Sequence, residues 1–245
     1  MNEHAKTGAL QRTHVGKGIA HDSAKKHVSV EAVYIDVMPE LPGTLHAALV
    51  TSPVAHGRLK SIDASAALAM EGVVAFVSAK DVPGHNDIAP ILSGEELFAS
   101  QNLEYLGHPI GCIAAETLEQ AIKAAKAVIV DFEELEPVLD IEAAHEKQSY
   151  AIAPQSLLKG DVDQALRDAD HIIEGRLDMG GQDHFYLETQ IAYVTPGEDG
   201  DLVVYSSTQH PTEVQHHVAH VLGLFANAVD VKVRRMGGGF GGKES

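Results

Sequence analysis

The segment Arg234–Glu244, RRMGGGFGGKE, concentrates the chemistry of this chain: Gly237, Gly238, Gly239, Gly241 and Gly242 surround a single Phe240. Five glycines cost backbone entropy, which is tolerated where main chain must come very close to something else. The β-type run Val229–Val233 delivers the loop, an arrangement that presents backbone N–H groups to an anionic or oxo ligand. Two phosphate-binding patterns fit parts of it. Gly237, Gly239 and Gly242 satisfy the GxGxxG spacing of a dinucleotide fold, but residue 245 is reached before a following helix or an acidic ribose ligand about 20 residues on. Gly237, Gly242 and Lys243 satisfy GxxxxGK, yet Glu244 stands where a phosphate loop needs Ser or Thr for magnesium, and its carboxylate would oppose the phosphates. A glycine-rich turn packed on a neighbouring strand, with Phe240 as a core anchor, would explain the composition without chemistry.

Other reactive side chains form weaker patterns. Of 15 histidines only His210, His216, His217 and His220 cluster. His216 and His220 have the i, i+4 spacing of a helical metal pair, without an HExxH pattern or a third ligand. The lone Cys112 lies in the apolar run Pro109–Ala115 and reads as core filling; one cysteine excludes an internal disulfide and a cysteine-ligated iron–sulfur cluster within the chain. On a strand, His184, Tyr186 and Glu188 would share one face and Phe185 and Leu187 the other. Glu188 is expected to support glycine-loop backbone rather than to react.

Several elements must position these residues. Strands are expected over Val28–Ile35, Thr44–Thr51, Gly57–Ile62, Val73–Ser78, Ile110–Ala115 and Val128–Glu133, those at 73–78 and 110–115 fully buried. An alanine-rich helix over Ala64–Met70 follows Asp63 as N-cap, and Thr117 opens another with Leu118, Ala121, Ile122 and Ala125 along one face. Val82–Ala99, rich in Pro, Gly and Asn, reads as a surface excursion. Further on come a short helix over Asp161–Asp168, a strand over His171–Leu177, a hairpin pairing Tyr186–Thr195 with Leu202–Ser207, and a helix over Pro211–Leu222. The division is an irregular arm (1–26), an α/β domain (27–143), a linker (144–155) and a second domain (156–245).

Composition bounds the partners. With 44% hydrophobic and 22% charged residues the 245-residue chain is globular in character, and a net charge of -17 argues against nucleic acid or an anionic membrane. No apolar stretch reaches the roughly 18 residues of a membrane span, and the N-terminus has no apolar signal core, so a cytoplasmic location is expected.

Three motifs together carry a family resemblance. RRMGGGFGGKE resembles the first molybdenum-cofactor loop of the xanthine dehydrogenase and aldehyde oxidase family. Gly181–Gln190, GQDHFYLETQ, resembles a family signature with Asp183 in place of the usual Glu, and Ser206–His210, SSTQH, resembles the family's STQ segment. His27–Ile141, with AVYIDVMPELPGTLHAALVTSPVAHGRLKSID and GVVAFVSAKDVPGHN, resembles its N-terminal hammerhead domain. One departure lies at its start: HVSVEAVYIDV stands where the family often reads HVTGEAVYTDD, so Val30 replaces a glycine, which concerns a turn rather than chemistry.

The resemblance implies a mixed α/β and α+β chain, a hammerhead-type domain followed by the start of a molybdenum-cofactor-binding domain. It implies that Gln209 donates its amide N–H₂ to an oxo ligand of molybdenum, an interaction that adds no charge. Phe240 and Gly241, with Gly239, would bring backbone to the molybdopterin cofactor, so Gln209 and Phe240 form the metal's environment. Glu244 matches a carboxylate that contacts a purine, favouring hypoxanthine and xanthine over the aldehydes oxidised by relatives with an apolar residue there. The implied reaction is hydroxylation with water-derived oxygen, with electrons passing through iron–sulfur clusters and FAD on a partner chain or subunit to NAD. The general base, a substrate-clamping arginine and most pterin-holding loops come later in the family's order. The chain is therefore expected to be an N-terminal portion that needs a C-terminal part, joins an oligomer, and is inactive alone. An aldehyde-oxidising subunit and a non-catalytic assembly or docking module are the alternatives.

Overall fold

A computed structural model describes residues 16–91 and 93–244; most of the sequence-defined arm therefore lies outside the described residues. The chain runs α1 (Ala24–Val28), β1 (His46–Thr51), β2 (Gly57–Asp63), α2 (Ser65–Leu68), β3 (Val73–Ser78), β4 (Asn102–Leu103), β5 (Pro109–Ala115), α3 (Leu118–Ala125) and β6 (Ile129–Glu134). It continues through α4 (Ile141–Glu146), α5 (Val162–Arg167), β7 (Ala192–Pro196), β8 (Leu202–Ser206), α6 (Pro211–Leu222) and β9 (Val229–Lys232).

The first half holds two three-stranded antiparallel sheets, ordered β1-β5-β3 and β4-β2-β6. The central β5 is the most buried strand, and α3 lies across β1 and β5. Thr117 caps α3 as its sequence indicates, accepting from the Gln120 N–H at 3.2 Å. The buried face of α3 differs from the expected one: Ala121 and Ala124 are fully buried, whereas Leu118 and Ile122 are 52% and 43% exposed. Small side chains let the helix approach the sheet closely, and the longer ones stand at the rim. Likewise β3, expected to be fully buried, is an edge strand that leaves Val74 and Val77 partly in solvent. Asp63 acts one position from its expected role: Ala64 is the N-cap of α2, while the Asp63 carboxylate accepts from Ser65 N–H.

The second half is a smaller sheet, β7-β8-β9, with β7 antiparallel and β9 parallel to β8. The α6 helix packs on it through Val204, Ala219 and Val229. Its bounds, Pro211 and Leu222, are those the sequence indicates, and Gly223, left-handed at φ 67°, ends it. The expected hairpin forms, but its first strand begins at Ala192 rather than Tyr186. Two other strands do not form. Residues 171–177 find no strand to pair with, and a lone extended run has no ladder to stabilise it. Residues 28–35 leave α1 through Val30 at φ 63° and reach a 3-10 turn at Ile35–Val37. There the backbone bonds side chains instead of a sheet. Val33 O accepts from the Arg235 guanidinium at 2.9 Å and Ile35 N–H donates to Glu188 at 3.4 Å. With Asp22–Arg234 (2.7 Å) and Leu41 N–H to Tyr193 Oη (2.9 Å), these contacts lay residues 22–41 against the second half. The excursion at 82–99 also returns inward, ending on buried Phe98 and Ala99.

Candidate functional site

The glycine loop leaves β9 and folds back over residues 184–188 and 207–209. The predicted alternation is present without a regular strand: Glu188, Tyr186 and His184 lie under Gly237, Gly238 and Gly242, while Phe185 and Leu187 are 96% and 95% exposed. Glu188 holds the loop entrance, accepting from Gly237 N–H and Ser207 Oγ, both at 2.7 Å. Gln209 holds the return, its Oε1 accepting from Gly241 N–H at 2.9 Å and Lys243 N–H at 3.3 Å. A tight turn closes between them through Gly242 N–H to Gly239 O at 2.7 Å.

The loop amides thus divide into two groups. Those at the flanks bond to protein. Among the described residues no protein acceptor meets the N–H of Gly238, Gly239 or Phe240 at the crest, although Gly239 is buried. A Cβ on Gly239 would come within 2.5 Å of the Gln209 side-chain oxygen, so any larger residue there would push the Gln209 amide out of its present position. Phe240 is 74% exposed and left-handed at φ 53°, so it is no core anchor; such backbone strain in a non-glycine residue collects at functional sites. Beside it, a Cβ on Gly241 would meet only the His184 ring, at 3.6 Å, so the crest is open. With both oxygen lone pairs of Gln209 engaged, its Nε2 is the free half of the amide, and no protein acceptor among the described residues meets it. Glu244 is exposed at the loop's end and makes no side-chain hydrogen bond among the described residues.

Sequence reasoning missed Lys243 as a structural residue. Its ammonium is fully buried beneath the loop, donating to Glu188 O at 2.6 Å and Ser207 Oγ at 2.7 Å, and lies 4.5 Å from the Tyr186 ring centroid. An inward lysine cannot serve a phosphate, which removes the P-loop reading. No sequence signal marks this burial, because its partners lie 55 and 36 residues away. His216 and His220 do not complete a metal site: no three metal-ligating side chains gather among the described residues. His220 instead stacks on His85 with centroids 4.3 Å apart.

The donor set suits a cofactor that carries its own metal ligands. The loop offers neutral N–H groups and an open crest, with no thiolate or imidazole cluster.

Residues 29–136 match the aldehyde oxidase and xanthine dehydrogenase a/b hammerhead domain, and residues 144–245 match the molybdopterin cofactor-binding domain. The chain is 45% identical over 239 residues to xanthine dehydrogenase/oxidase of Gallus gallus, covering 97% of this chain and 18% of that protein. Against xanthine dehydrogenase of Dictyostelium discoideum it is 47% identical over 227 residues, covering 93% and 17%. It therefore spans less than a fifth of the length of these relatives. Among solved structures, aldehyde oxidoreductase from Desulfovibrio gigas superposes with a TM-score of 0.80 at 29% identity, over 91% of this chain and 27% of that one. Quinoline 2-oxidoreductase from Pseudomonas putida 86 gives 0.80 at 25% identity, over 93% and 31%. The hammerhead and molybdopterin-binding matches, in this order and over most of the chain, make it a member of the xanthine dehydrogenase and aldehyde oxidase family.

Proposed function

We propose that this chain is the N-terminal portion of the molybdenum-binding part of a xanthine dehydrogenase, an oxidoreductase that hydroxylates hypoxanthine and xanthine. The observation that carries the reading is the Gln209 amide: its oxygen is bound by the loop and its Nε2 is left free beside the open crest at Phe240 and Gly241. Bound there, the molybdenum cofactor would supply a two-electron oxidation with oxygen from water. Gln209 Nε2 would donate a hydrogen bond to it, and the crest at Gly239, Phe240 and Gly241 would hold it through main chain. Glu244, exposed and without a protein partner among the described residues, would accept a ring N–H of the purine. Identities of 45% and 47% to xanthine dehydrogenases favour this substrate class over aldehydes.

Iron–sulfur and FAD groups on partner chains or domains would take the electrons toward NAD, in a cytoplasmic assembly serving purine breakdown. Among the described residues no helix is long and apolar enough to cross a membrane. The division into hammerhead (27–143), linker (144–155) and cofactor domain (156–245) is part of the same proposal. So is inactivity of the chain alone, since proton removal from the nucleophile needs a base it does not supply.

Co-expression with the remaining length of a related subunit tests the reading. Xanthine-dependent turnover and molybdenum are expected only in the joined protein. In that protein Glu244→Val should lower kcat/KM for xanthine by about 10- to 100-fold, the loss of one or two polar contacts to substrate. Unchanged xanthine oxidation with raised aldehyde oxidation would favour the aldehyde branch instead.

A further inference from the structure

The geometry points to Lys243 as the residue that sets which way the Gln209 amide faces, a positioning role that rests on the cofactor reading above. Rotating that amide by half a turn would place Nε2 against the N–H groups of Gly241 and Lys243, donor against donor, so its orientation is fixed for as long as those two N–H groups stay in place. Lys243 holds them there from three sides. Its carbonyl accepts from Gln209 N–H at 2.7 Å and from Thr208 Oγ1 at 3.2 Å. Its N–H donates to Gln209 Oε1. Its ammonium reaches under the loop to Glu188 O and Ser207 Oγ.

Ser207 completes a ring. Its hydroxyl accepts from Lys243 Nζ and donates to Glu188 Oε2, the same oxygen that takes Gly237 N–H at the loop entrance. The entrance and exit of the loop are thereby tied through three side chains. The ammonium hydrogens all have partners: two oxygens and the Tyr186 face, with the Glu188 carboxylate 3.8 Å away. A buried ammonium so completely matched is costly to remove singly, because it leaves the Glu188 carbonyl and the Ser207 hydroxyl without their donor and the Glu188 carboxylate without its countercharge.

Nuclear magnetic resonance of the cofactor-free 245-residue chain tests this, using the Gln209 Nε2 resonances and amide exchange at Gly241 and Lys243. Wild type should show a distinct Gln209 pair, assigned by its loss in Gln209→Glu. In Lys243→Met the pair should collapse to solvent-like shifts, and protection at residues 241 and 243 should fall by roughly 10- to 100-fold, the loss of one or two charge-assisted bonds. Lys243→Arg should restore part of both. A wild-type Gln209 pair in Lys243→Met would overturn the proposal, as would an equal loss of protection across β7, β8 and β9. Should Lys243→Met unfold that sheet, Ser207→Ala decides: loss confined to residues 237–243 supports the role, and an unchanged pair overturns it. Because these signals are read without molybdenum, failure of the cofactor reading would leave them intact, and their failure would leave molybdenum content of the joined protein unaffected.

Discussion

Val30 adopts φ 63° and is 91% exposed, where the related pattern usually has glycine. The turn out of α1 has therefore kept its left-handed shape after losing the residue best suited to it. A left-handed conformation costs an L-residue roughly 1–2 kcal/mol, and a β-branched side chain adds crowding. Val30→Gly should stabilise the chain by about 1 kcal/mol once the greater unfolded freedom of glycine is counted. Urea denaturation followed by amide exchange near Val33 and Ile35 would register the gain, and an unchanged midpoint would mean the turn is unstrained. The same contrast separates what single residues reveal. Glu188 is legible as a support of the loop from its alternation with Phe185 and Leu187, and Gln209 and Phe240 are legible as candidates because their motifs belong to a recognisable pattern. Lys243 is not, since a lysine reads as surface until Glu188 and Ser207, far away in sequence, are seen to enclose it.

Among elements, helices with local signals stood close to where the sequence put them, although α2 takes Ala64 rather than Asp63 as its cap. The α6 helix has Pro211 in its first turn, and α3 opens at Thr117. Strands needed a partner that sequence does not show, which is why residues 28–35 and 171–177 read as strands and pair with nothing. A joint between elements was equally invisible. Gly84 N–H donates to Val221 O at 2.9 Å and His85 N–H to His220 O at 3.1 Å, so the 82–99 excursion satisfies carbonyls at the C-terminal end of α6. A Cβ on Gly84 would overlap His220 O, Gly223 N and Val221 O, all main-chain atoms unable to swing away. Gly84→Ala should break both bonds and the His85–His220 stack, costing about 1–3 kcal/mol. Amide exchange should rise at residues 84, 85, 223 and 224 while the β5 centre stays protected. Unaltered exchange at those positions would show that the excursion is not held by this joint.

Over the whole molecule apolar burial is unequal. The first half buries Val50, Leu103, Ile110, Ile113 and several alanines in one cluster, while the second rests on Val204, Ala219 and Val229. Between them, Leu157, Ile173, Phe185 and Leu187 are each at least 95% exposed, more apolar surface than a self-contained domain leaves wet. The halves are linked by polar contacts, chiefly Asp22–Arg234, Arg235 with Val33, Gly84 with Val221, and Arg176–Glu142. Exposed ion pairs and single hydrogen bonds of this kind contribute about 1 kcal/mol each and do not merge two cores into one cooperative unit. The chain should therefore melt in two steps, the β7-β8-β9 sheet first and the β1-β5-β3 sheet later. Calorimetry with residue-level exchange would separate them: protection should be lost at Val204 and Val231 well below the temperature at which it is lost at Ile110 and Ile113. Fusion to the further length that relatives possess should raise the lower step, by covering the apolar residues of 157–187, and leave the upper step in place. A single transition with equal calorimetric and van't Hoff enthalpies would instead mean that the polar joints couple the halves more tightly than their exposure suggests.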